Sequence, residues 1–149
     1  LMQQENLTSE ERLMAMLSHL SLLFGGIVLP IILWASQKDR SRFIRYHALQ
    51  SIFFQLAYIV ILVFLICVFA LLAIFLGLGF GLITATSTSG SGELSIALIL
   101  FIVLFYGLIF VSAFGAMGYE IYLAIKSYHG AYTKIPIIGN IIYKKVYGS

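Results

Sequence analysis

The sequence predicts an all-α integral membrane fold, and two observations carry that prediction. Hydrophobic residues make up 61% of the 149 residues and charged residues only 10%, whereas a soluble domain carries roughly 25% charge. Mean hydropathy is +1.03, with apolar runs longer than the ~20 residues that cross a bilayer as a helix. Such a chain cannot cover a water-facing surface. The expected architecture is a single transmembrane domain over residues 1–149: a bundle of three long transmembrane helices, the first kinked at Pro30, and a short interfacial C-terminal tail.

The first helix is expected over residues 9–36. Thr8, Ser9, Glu10 and Glu11 supply start chemistry, because a hydroxyl caps free backbone N–H groups and carboxylates favour the positive helix end. Ser18, His19 and Ser21 stand among leucines and methionines, and His19 is read as hydrogen-bonded to a neighbouring helix. Further on come Gly25, Gly26 and Pro30, and proline removes a backbone donor and clashes with the preceding turn. Trp34 falls where an interfacial aromatic sits. After a polar turn at residues 36–41, the second helix is expected over residues 43–83. About 40 residues would reach ~60 Å, twice the hydrocarbon core, so its first two turns are placed at the interface. A Ser/Thr/Gly loop over residues 84–93 leads to the third helix at residues 94–127, and the tail covers residues 128–149. The apolar patch of the tail is too short to span and is expected on the membrane surface or against the helices.

Basic residues set the expected orientation. Lys38, Arg40 and Arg42 precede the second helix and Arg45 lies in its first turn, Lys126, Lys134, Lys144 and Lys145 follow or end the third, and the 84–93 loop has none. The 36–47 region and the C-terminus are therefore expected in the cytoplasm and the 84–93 loop outside, in a bacterial plasma membrane. A first helix that crosses puts the acidic N-terminus outside; one turned back at its glycines and Pro30 keeps it inside. Crossing is preferred.

Polar residues within the apolar helices are the candidate sites. His47, Ser51 and Gln55 fall at i, i+4 and i+8, with Gln50 beside them, and such a stripe must face protein or water. Glu120 is the carboxylate inside the third helix, at a depth matching His47, and intramembrane carboxylates are functional candidates. A pair between Glu120 and Arg45 or His47 is expected. Gly115 and Gly118 give the third helix a small-residue face suited to close helix packing. Cys67 alone builds no disulfide framework. His19, His47 and His129 lack metal-site spacing, and no nucleotide loop, nucleophile elbow or zinc-protease motif occurs. No catalytic residue, metal or cofactor is expected, and the basic residues lie along membrane flanks rather than in a nucleic-acid patch.

Several of these features together resemble a bacterial family of small membrane proteins carrying a domain of unknown function related to Tic-twenty, a chloroplast inner-envelope protein-import subunit. They are Glu11-Arg12, the stretch from Ala15 to Leu20, Pro30 to Trp34, Lys38-Asp39, Phe43 to Gln50, and Gly130, Tyr132 and Pro136 in the tail. The resemblance implies a non-enzymatic subunit or stabilising partner of a larger membrane assembly, with a link to protein translocation. The alternative is a small oligomeric channel or transporter using the polar stripe at the mouth of the second helix. The expected partners are the lipid bilayer and either another membrane protein or further copies of the chain.

Overall fold

A computed structural model describes residues 6–24, 26–37, 39–86 and 91–148. Its elements are α1 (Ser9–Phe24), α2 (Val28–Gln37), α3 (Arg42–Thr86), α4 (Ser91–Tyr128) and α5 (Ile138–Tyr147). The chain divides into two compact units, residues 1–58 with 115–149 and residues 59–114.

In the first unit, Thr8 and Glu11 close a reciprocal cap on α1. The Thr8 N–H donates to Glu11 Oε2 at 2.9 Å and the Glu11 N–H donates to Thr8 Oγ1 at 3.2 Å, so two backbone donors are satisfied at once. The single kinked helix expected over residues 9–36 is instead two helices that pack on each other. Gly26 takes a left-handed φ of 55° and donates to the Ser21 carbonyl at 2.6 Å, a helix ending that glycine adopts at little steric cost. Pro30 does not kink a helix; it is the third residue of α2, where its missing N–H would have no intrahelical acceptor. The expected contributions of Gly25 and Lys38 lie outside the described residues.

Helices α1 and α2, of 16 and 10 residues, reach only about 24 and 15 Å at ~1.5 Å per residue, short of the ~30 Å hydrocarbon core. Among the described residues two helices rather than three are therefore long and apolar enough to cross, over Arg42–Gly79 and Leu98–Tyr128. Helix continues through residues 84–86 and 91–93 of the predicted external loop, and residues 87–90 lie outside the described set.

α3 is capped by Ser41, whose hydroxyl accepts the Ile44 N–H at 3.3 Å. Its buried positions run from Phe43 to Ser51, interrupted only by the half-buried Arg45, and end at Gln55; those of α4 run from Ala116 to Ser127. α5 packs Ile142 and Val146 against Tyr46 and Leu49 of α3, with Trp34, Tyr132, Tyr143 and Tyr147 around them. Gly139 is required there, because a Cβ would stand 2.8 Å from Lys134 Cα. In the second unit Phe69 of α3 meets Phe105 and Phe101 of α4 at centroid distances of 4.6 and 5.4 Å. Most of its large side chains are exposed, such as Phe75 and Val103, as suits a surface solvated by lipid.

The α1 cap should be sensitive to acid. The Thr8 N–H, then the Ser41 hydroxyl, hold the Glu11 carboxyl below its usual range. A depressed folded-state value adds stability above the unfolded value, and that stability is lost as pH falls through the folded one. Thr8→Ala is expected to destabilise the first turn by about 1 kcal/mol at neutral pH. Hydrogen exchange at residues 9–12 should rise in the variant, and should rise in the wild type only on acidification.

Candidate functional site

The first unit encloses a polar network that draws one residue set from each of α1, α3 and α4. On α1, Ser18, His19 and Ser21 are fully buried; on α3, His47, Ser51 and Gln55; on α4, Glu120 is 1% exposed. The His19 ring lies between the other two titratable groups. Its Nδ1 is 2.6 Å from Glu120 Oε2 and its Nε2 is 3.1 Å from His47 Nδ1. Each ring nitrogen of His19 thus has one partner, the Glu120 carboxyl on one side and the His47 ring on the other, and each contact can pair one donor with one acceptor. Phe43 and Tyr46 edge onto the His47 ring at 4.6 and 5.1 Å between centroids.

A ring of neutral hydrogen bonds adjoins this chain. The Gln55 amide donates both protons, to Ser21 Oγ at 2.9 Å and to Ser51 Oγ at 3.1 Å. Ser51 and Ser21 in turn donate to the Ser18 carbonyl, each at 2.7 Å. A helical carbonyl can accept more than one bond because it has two lone pairs. The i, i+4, i+8 stripe of α3 thus seals against α1.

Gln50, one turn on from His47, faces a different partner. Its Nε2 donates to the Thr133 carbonyl at 3.1 Å and its Oε1 accepts the Ile135 N–H at 2.9 Å. This two-point clamp holds the loop between α4 and α5. Just beyond it Ile137 sits at φ 67° and ψ −61°, the centre of a γ-turn, a sparsely populated conformation costing of order 1–3 kcal/mol.

The structure brings His47, Ser51, Gln55 and Glu120 into one network and sets Gln50 at its edge. It does not pair Glu120 with Arg45 or directly with His47. Arg45 precedes His47 by two residues, and positions two apart on a helix do not share a face. His19 is the bridging residue and, with Ser18 and Ser21, completes the site; its signal in the sequence was a cluster of polar residues inside an apolar helix. Gly115 and Gly118 are exposed, with nothing within 4 Å of an added Cβ, while Ala116 beside them is buried. No group of three metal-ligating side chains is poised for an ion among the described residues; the imidazoles and carboxylate are turned toward one another. A shallow depression lined by Leu7, Ser9, Arg12 and Tyr128 includes none of the network residues.

These features define a helical integral membrane protein whose buried polar network, among the described residues, belongs to the first unit. The chain matches the MamF/MmsF family, described as the magnetosome magnetite crystal formation protein family, over residues 10–142, and it belongs to that family. This corrects the Tic-twenty-like assignment, and the link to protein translocation falls with it. No curated protein and no solved structure matches the chain.

Removing one partner of the buried His19–Glu120 contact should cost far more than replacing the Glu120 carboxyl by an amide in place. His19→Ala and Glu120→Ala are each expected to lower stability by about 3–5 kcal/mol, and Glu120→Gln by less, since an amide keeps the shape and one acceptor. The double variant His19→Ala/Glu120→Ala should fall well short of the sum. Unfolding of the detergent-solubilised protein, followed by circular dichroism, measures all four.

Proposed function

We propose that the chain is a non-enzymatic membrane protein that supports magnetite crystal formation by organising other components of the magnetosome membrane. The observation that carries this reading is the buried His19–Glu120–His47 string, which ties three helices into one unit and leaves Glu120 Oε1 and His47 Nε2 unpaired at its two ends. Its groups are committed to holding α1, α3 and α4 together, so the unit acts through a fixed shape and its outer surface. The family description supplies the process. A subunit or stabilising partner of a membrane assembly is the form of action that fits both.

The test is to replace the native gene in a magnetite-forming cell by a deletion or by His19→Ala, with expression checked by a tag. Both strains are expected to form crystals of altered size or number, seen by electron microscopy, while membrane vesicles remain. Mild-detergent purification of the wild type should retain membrane-protein partners that the variant loses. Wild-type crystals in the deletion strain would sink the proposal.

A second reading is favoured by one feature. The string Glu120–His19–His47 joins proton-exchanging groups without a gap, as a proton-handling channel or transporter would require. Proton flux into liposomes that is abolished by His19→Ala would move the assignment there.

For topology, we propose that both termini lie on the cytoplasmic side with the basic residues. The support is contact within the first unit. A Cβ on Gly130, just past α4, would stand 3.4 Å from Leu7 and 3.8 Å from Arg12 at the start of α1, so the start of α1 sits beside the C-terminal end of α4. In a Cys67→Ser background, cysteines at positions 6 and 148 should react with an impermeant maleimide from the same face. Reaction from opposite faces would restore a crossing N-terminal segment.

A further inference from the structure

α5 divides sharply into two faces. Gly139, Ile142 and Val146 are buried, while Ile137 and Ile141 are 79% and 63% exposed. Ile141, Lys144 and Lys145 fall at i, i+3 and i+4 on α5 and share one face, and Ile137, the exposed residue that precedes its first turn, lies at its start. Lysines in a last turn also suit the helix dipole, but that gives no reason for the isoleucines.

The exposure is built rather than incidental. Gln50 grips Thr133 and Ile135. Gly139 permits a backbone approach that any side chain would block, and Ile137 is held at φ 67° and ψ −61° in a γ-turn closed by the Ile138 N–H donating to the Pro136 carbonyl at 2.8 Å, a rare and strained geometry. These constraints together turn Ile137 outward, and strain of this kind persists only where the surroundings enforce it.

The position of α5 indicates what it meets. It packs on Tyr46 and Leu49, in the first turns of α3, at one end of a candidate span. Trp34, Tyr132, Tyr143 and Tyr147 gather at the same place, as tryptophan and tyrosine do at the headgroup level. Lys134 lies over the Tyr143 ring at 4.3 Å, adding a further cation to this edge. A short helix with apolar side chains and lysines on its free face, at that level, has the composition of an interfacial anchor.

We propose that the Ile137/Ile141 face of α5 is a lipid-binding surface that inserts into the headgroup layer of the host bilayer and selects anionic lipid through Lys144 and Lys145. The proposal rests on the membrane assignment alone and is independent of any role in crystal formation. Its occupant is lipid rather than a protein because the cationic rim complements an anionic leaflet and because α5 is fixed where that leaflet must lie.

The test uses the full-length protein with Cys67→Ser and a spin label on Ile141→Cys. It is reconstituted in nanodiscs of phosphatidylcholine, alone or mixed with phosphatidylglycerol. Accessibility to oxygen and to a water-soluble nickel complex reports immersion. The label should move from water-accessible to immersed when phosphatidylglycerol is added. The ratio of the two populations should change by up to roughly 30-fold, equivalent to about 1 kcal/mol for each lysine near an anionic surface. Lys144→Gln/Lys145→Gln, both at exposed positions, should abolish the dependence, and high salt should weaken it. Circular dichroism confirms that each variant is folded. A label that stays water-accessible in both lipids overturns the proposal and leaves a protein partner as the occupant, since the nanodisc holds none. Immersion that is indifferent to phosphatidylglycerol overturns it as well.

Discussion

Glu120 lies in a largely apolar stretch of α4, and its side chain is 1% exposed. An ionised carboxylate so placed is tolerable only with a charged or hydrogen-bonding partner at contact distance. His19 is that partner, and it comes from a helix too short to be held in place by crossing the membrane itself. Because His19 also touches His47, the same ring fixes α1 to α3 and to α4 together. The Ser18, Ser21, Ser51 and Gln55 bonds then set the rotation of α1 against α3, since a turn of either helix would orphan several buried donors at once. The arrangement of α1 against α3 and α4 centres on the pairing of one buried carboxyl oxygen, Glu120 Oε2, while Oε1 has no hydrogen-bond partner.

Much of this was legible in the residues. The i, i+4, i+8 stripe from His47 to Gln55 located the sealed face of α3, and matching depth from the helix ends placed Glu120 level with His47. Thr8 and Glu11 marked the start of α1. What failed did so for physical reasons. Pro30 reads as a helix breaker, yet a proline in a first turn breaks nothing, and the interruption belongs to Gly26, whose left-handed φ no periodicity reveals. The pairing of Glu120 needed a third helix in place, and local spacing cannot supply that. Gln50 was placed beside the stripe, and nothing local showed that its partners are backbone groups of a loop more than 80 residues away.

The mistaken family resemblance has a related cause. Pro30 to Trp34, Phe43 to Gln50 and the 130–136 turn were the residues that carried it. In the structure several of them do packing work: Phe43 and Tyr46 box the His47 ring, Gln50 clamps the loop, and Trp34 and Tyr132 pack against the α5 cluster. Such residues report how a compact polar unit is built on the ends of two long apolar helices. They say little about the process that unit serves, because function lives in surfaces and sites rather than in the packing that supports them.

The distribution of polarity along α3 and α4 bears on the choice between an organising and a conducting role. Beyond Gln55, α3 carries Tyr58 and Cys67 and no further hydroxyl, amide or charge before Thr84. The second unit, residues 59–114, contains Glu93 as its sole formal charge, and α4 contributes Tyr106 and Ser112 between Ile96 and Tyr119. A path for ions through ~30 Å of hydrocarbon needs polar groups at successive depths. Further copies of the chain cannot provide groups that the chain lacks, so oligomerisation alone does not open such a path. The hydrogen-bonded string from Glu120 to His47 therefore ends where a conducting route would have to begin. A polar unit with a dry apolar hairpin is better suited to presenting a rigid face at a membrane than to passing a solute across it.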